Sequence, residues 1–165
     1  MIRPVFISLS LALTLFLSAC GTQQSVFDPD APWTGTWIGD VTFEDFGTEV
    51  NSSIRASFVQ QQSTVTGTVT ITTVSTSDPS EYDTTLRTSV DSVVISDNTI
   101  EGDLECVSMS GRAGPNTFTA CDQLPGYMQR GAFEAQLTSD DTAVGSLPDA
   151  AAAGLGFGNI PLRRR

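Results

Sequence analysis

Two groups of residues have the types and spacing to do chemistry: the cysteines Cys20, Cys106 and Cys121, and the alternating carboxylates Glu101, Asp103 and Glu105. A carboxylate pair can act as acid and base, as in glycoside hydrolysis, and a carboxylate cluster attracts calcium. In an extended strand these three acids share one face, about 6.6 Å apart at successive same-face positions. That is wide for one ion without further loop oxygens. The face also lies opposite the apolar row Ile100, Gly102, Leu104 and Cys106, so it is expected to be solvated. Nucleophilic triads and HExxH zinc sites need histidine, and Schiff-base chemistry needs lysine. The chain has neither, and all 8 of its basic residues are arginines. The expectation is a protein that is not an enzyme, with no cofactor and no metal site.

The cysteines divide by position. Cys106 and Cys121 have no CxxC partner and no neighbouring histidine, which argues against metal binding and redox catalysis. In an oxidising compartment such a pair is expected to form a disulfide. A bridge closing about 15 residues contributes about 3 kcal/mol. Two separate buried thiols are the alternative. Cys20 follows a charged opening, Met1-Ile2-Arg3, and a nearly continuous apolar run over residues 4–16. That run is shorter than the roughly 20 residues a membrane span needs, and it fits a secretory signal. Leu17-Ser18-Ala19-Cys20, followed by Gly21, resembles the lipobox of bacterial lipoproteins. The resemblance implies cleavage before Cys20, a diacylglycerol on its thiol, and a fatty acyl chain such as palmitate on the new amine. Gly21 is not the aspartate that tends to hold such proteins at the inner membrane. The expected address is therefore the cell membrane or outer membrane, with the domain facing the periplasm or the cell exterior.

Residues 1–19 are thus read as signal peptide and residues 20–32 as lipidated N-terminus and tether. Losing the signal removes Arg3 and none of the 19 acidic residues, so the mature chain is one charge more acidic than the −11 of the full sequence. Such a surface repels phosphate backbones and anionic headgroups, so no nucleic acid partner is expected and the lipid alone must hold the membrane. No feature identifies a protein partner.

From Trp33 onward apolar and polar residues alternate, the pattern of half-buried strands. Trp37, Gly39, Val41 and Phe43 share one face; so do Ile54, Ala56 and Phe58; so do Val65, Gly67, Val69 and Ile71. Further strands are expected over 86–95, 99–106, 117–121, 133–138 and 142–147, with turns at Asp97-Asn98 and Ser139-Asp140-Asp141 and a loop over 75–83. Consecutive strands joined by short turns are antiparallel. Eight of them can close a meander and remove its edges. The expected fold is all-β, an antiparallel meander forming a closed eight-stranded barrel over residues 33–147, with a β-sandwich as the alternative. Residues 148–165 break the alternation with Gly154, Gly156 and Gly158 and are read as a flexible tail. Its final Arg163-Arg164-Arg165 is either solvated or bound to anionic lipid or to the domain's acidic face.

Gly35-Thr36-Trp37 resembles the G-x-W element that opens lipocalin and avidin-like (calycin-type) barrels. The resemblance implies that Trp37 plugs one end of the barrel. Two departures stand against it: there is no Thr-Asp-Tyr element, and no arginine close after the last expected strand to stack on Trp37. The chain's 2 tryptophans are also too few for an avidin-type biotin pocket. Two functions remain open. In one, the barrel holds a small hydrophobic ligand against inward residues Trp37, Phe43, Phe58, Leu104 and Phe133. In the other the barrel is solid, and the protein is a structural or interaction lipoprotein working through its acidic outer face or loops. Inward residues such as Gly39, Ala56, Gly67, Gly102 and Ala135 either leave a cavity or fit the taper of a filled barrel.

Overall fold

The computed structural model describes residues 28–45, 47–96 and 98–165. Cys20, the lipobox, the signal segment, all of the tether before Asp28, and Asp97 of the expected turn lie outside the described residues. Nine strands follow in order: β1 (Gly35–Asp45), β2 (Thr48–Gln61), β3 (Thr64–Ser75), β4 (Tyr82–Ser96), β5 (Thr99–Ala113), β6 (Asn116–Phe118), β7 (Arg130–Ser139), β8 (Thr142–Ser146) and β9 (Ile160–Arg164). Single helical turns interrupt them: a 3-10 turn at Cys121–Gln123, α1 (Gly126–Gln129) and α2 (Pro148–Ala152).

All pairings are antiparallel. Strands β1 to β5, β7, β8 and β9 form a ring that β9 closes against β1, and β6 is an extra strand on the upper part of β5. The fold is therefore a closed eight-stranded meander barrel, not a sandwich. One member differs from expectation. The segment 117–121 contributes only the short β6, and the eighth barrel strand comes from the segment read as a flexible tail. Ile160 and Leu162 are buried there against β8, while Arg163 and Arg164 pair with Ile38 and Trp37. The barrel thus extends to Arg164. Without β9, β1 and β8 would each present an unpaired edge, which explains why this short strand is retained despite Pro161.

β9 also supplies the arginine that was not expected near Trp37. The Arg164 guanidinium carbon lies 4.5 Å from the Trp37 ring centroid, within cation–π range. Its Nη1 donates to the Thr34 carbonyl at 2.5 Å and its Nη2 to that of Pro32. Trp37 Nε1 in turn donates to the Trp33 carbonyl at 3.1 Å, and the two indole centroids are 5.8 Å apart. Both tryptophans are fully buried and seal this end of the barrel.

Above that plug the interior is packed. Ile54, Ala56, Phe58, Val69, Phe133, Ala135 and Leu162 are all buried, and a void of about 20 Å³ lies among Phe58, Leu104, Phe133 and their neighbours in this layer. That is room for one water at most. Two inward glycines fit the taper and leave no cavity. A Cβ on Gly39 would stand 2.3 Å from the Pro161 carbonyl oxygen, and one on Gly67 2.1 Å from that of Ser57. Glycine at these positions lets neighbouring strands approach where the sheet coils.

Candidate functional site

The far end of the barrel is built differently. β1 to β5 continue upward, but β7 begins only opposite Glu105, β8 stops opposite Glu134, and β9 starts opposite Gly145. The missing upper wall is replaced by two excursions of irregular chain: one through β6, the 3-10 turn and α1, the other through α2 to residue 159. Beneath them lies a cavity of about 160 Å³. It is similar to an apolar cavity of about 150 Å³ that accepts one benzene-sized molecule.

Each excursion is fastened to the strands. Cys106 and Cys121 are joined by a disulfide, which ties the 3-10 turn of the first excursion to β5. β6 is hairpinned onto β5 through Gly114 and Pro115, with Ala113 opposite Asn116. The second excursion is latched by Asp149, whose carboxylate accepts the Ala132 backbone N–H at 3.0 Å. Its buried Phe157 stands edge-on to Phe43, with centroids 5.1 Å apart and an interplanar angle of 63°. Leu124 from the first excursion, and Ala150 and Phe157 from the second, are buried apolar residues on the cavity wall.

The cavity is mainly apolar, with polar groups on two sides. Ile71, Leu86, Leu104 and Met109 form its floor and strand wall. At the rim, Tyr82 donates to Asp45 Oδ2 at 2.7 Å. Burial pushes the Tyr82 phenol well above its ordinary value, and the hydrogen bond and charge of Asp45 act in the same direction, so it stays neutral. Thr73, Thr84 and Thr88 line the strand side. Thr73 shares a hydrogen bond of 2.6 Å with Ser52, and Thr88 donates to the Val69 carbonyl at 3.4 Å.

The five residues expected to bind ligand are placed at different levels. Phe43 and Leu104 line the cavity. Phe58 and Phe133 lie in the packed layer below, with ring centroids 5.9 Å apart, and Leu104 spans both levels. Trp37 lines neither space and belongs to the plug. Alternation did not reveal Met109, because a β-bulge intervenes. Leu86 faces Met109 and Arg87 faces Ser108, but Thr88 faces Cys106, leaving Val107 as the extra residue. Past a bulge the inward parity reverses. Val107 and Ser108 are both turned out, Val107 58% exposed, and the inward series resumes on odd numbers with the buried Met109.

The carboxylates Glu101, Asp103 and Glu105 are exposed on the outer face. Asp103 faces Asp91 on β4, Glu101 faces Glu134 on β7, and Arg130 pairs with Asp103 at 2.8 Å. Among the described residues no cluster of His, Cys, Asp or Glu is placed to hold a metal ion. At the tryptophan end, Pro29, Asp30 and Pro32 border a wide basin with the turn residues of three hairpins, open to solvent. No family model matches the chain, and neither curated proteins nor solved structures give a match.

Proposed function

We propose that this protein is a non-catalytic lipoprotein of the cell envelope, calycin-like in architecture, which holds one small hydrophobic molecule in the covered end of its barrel. The observation that carries this reading is the cavity of about 160 Å³ above a solid lower half. A barrel serving only as a scaffold has no need of space beneath two fastened excursions. Pairing of Trp37 with Arg164 and the meander topology support the calycin-type likeness. The lipid anchor rests on Leu17 to Cys20. The chain enters the barrel at Trp33, so an anchor at Cys20 would be joined to the domain at its plugged end.

Native mass spectrometry of the purified protein tests the ligand. The expected result is an additional mass of a small apolar compound, or uptake of benzene-sized probes. Ala150→Leu, which enlarges a buried cavity-lining side chain, should abolish uptake while costing less than about 1 kcal/mol, since it fills empty space. If no probe binds and Ala150→Leu is strongly destabilising, the solid-barrel interaction protein takes the place of this reading. Neither tryptophan lines the cavity, so ligand should leave tryptophan emission nearly unchanged. The anchor is tested by Cys20→Ala: native protein should partition with detergent, and the variant should remain uncleaved or soluble. Recovery of native protein from the aqueous phase with a free Cys20 thiol would remove the lipoprotein claim.

A further inference from the structure

The cavity's ionisable side chains are all acids, with no cation among them. Its lining contains two carboxylates, Asp45 and Asp149, and two phenols, Tyr82 and Tyr127, but no arginine. The chain has no lysine or histidine, so arginine is its only cationic side chain. None of the arginines at 55, 87, 112, 130, 163, 164 and 165, the seven among the described residues, lines the cavity. Arg55, Arg87, Arg112, Arg130 and Arg163 are exposed, and Arg164 lies against Trp37 at the opposite end. A ligand bearing a negative charge would give up its hydration in a mostly apolar space. It would gain no cation and would face two acidic side chains. A head group that donates hydrogen bonds meets acceptors instead. Asp45 has already placed one oxygen toward Tyr82, and its carboxylate has further acceptor sites.

Building on the ligand-binding reading above, we propose that the cavity selects an apolar molecule of one-ring size whose polar head, an alcohol or an amine, donates hydrogen bonds and carries no negative charge. Carboxylates of the same size, short fatty acids included, are disfavoured. The apolar body packs on Leu104, Met109 and the edge-on pair Phe43 and Phe157, and the head lies toward Asp45 and Asp149 at the rim. This selection differs from general lipophile binding, because it depends on charge at constant shape.

Benzyl alcohol, benzylamine and benzoate share one ring and differ only in the head, so they separate charge from size. Their affinities for the full protein are measured by calorimetry or ligand-observed NMR at neutral pH and low salt. Benzyl alcohol and benzylamine are expected to bind at least about tenfold more tightly than benzoate, chiefly from repulsion by the half-buried Asp45, with the exposed Asp149 contributing less. In the double variant Asp45→Asn, Asp149→Asn the ratio should fall toward one, with benzoate gaining and benzylamine losing affinity. Asparagine keeps an acceptor for Tyr82 and for the Ala132 N–H, so the fold is retained, which circular dichroism checks. Benzoate binding as tightly as the alcohol overturns the proposal but leaves the cavity reading intact. A ratio unchanged in the double variant also overturns it. Failure of all three probes overturns the ligand-binding reading itself.

Discussion

Arg164 reaches across the chain to cover Trp37, 4.5 Å from guanidinium carbon to ring centroid, with its side chain 3% exposed. The contact joins the first strand to the last and closes the ring. Burial lowers the proton affinity of Arg164, while Asp141 and Asp140 raise it; the group stays charged in either case. Arg164→Ala would remove the cation–π contact and strand the Thr34 and Pro32 carbonyls. A loss of about 2–4 kcal/mol is expected in urea unfolding. Arg164→Lys should recover only part of it, because lysine cannot donate to both carbonyls while lying flat on the indole.

The Cys106–Cys121 bridge should register first as a mass. Unreduced protein should be two hydrogens lighter than reduced protein, with neither thiol alkylated before reduction. Reduction should cost about 3 kcal/mol for a loop of this size. It should also loosen the first excursion, so that ligand exchanges faster while the circular dichroism of the sheet is kept.

Tyr82 gives the alkaline limb of stability a definite sign. Its phenol is held protonated in the folded state and titrates near its ordinary value, about 10, once unfolded. Stability from this group is complete below about pH 10 and falls as pH rises above it, because only the unfolded chain then releases the proton. Tyr82→Phe should flatten that fall and cost about 1 kcal/mol at neutral pH for the lost hydrogen bond to Asp45. An alkaline slope unchanged in Tyr82→Phe would remove this assignment.

Ala56→Leu and Ala135→Leu test where the barrel is solid. Both alanines are buried in the packed layer, and only Ala56 touches even the small void there. Each should destabilise by about 1–3 kcal/mol through overpacking. Ala150→Leu, in the cavity wall, should not.

Alternation was legible wherever a strand has one wet face and one dry face, which covers β1 to β5, β7 and β8. It carried Phe43 and Leu104 to the cavity. β9 escaped because three glycines precede it and Pro161 sits within it, both ordinary marks against a strand. Pro161 is tolerated because the ladder between β9 and β1 is confined to Arg163 and Arg164, so no pair with β1 calls on the N–H that proline lacks. The cavity cover was illegible for a different reason. Leu124, Tyr127, Leu155 and Phe157 sit in single turns and irregular chain, where no period links one inward residue to the next. Met109 was hidden by the bulge at Val107, since a single inserted residue exchanges the two faces.

Because β1 and β9 are neighbours, the Arg165 backbone N–H donates to the Thr36 carbonyl at 2.9 Å, and the barrel's two chain ends share one pole. A short peptide joining residue 165 to residue 33 would connect them without crossing the sheet. New ends could then be opened in the exposed segment Asp78-Pro79-Ser80 between β3 and β4. Such a circular permutant would keep every strand pairing yet exit at the opposite pole, about 35 Å away along the eleven residues of β1. Immobilised through those ends, it would present the tryptophan plug outward and the cavity cover toward its support, the reverse of attachment at residue 33.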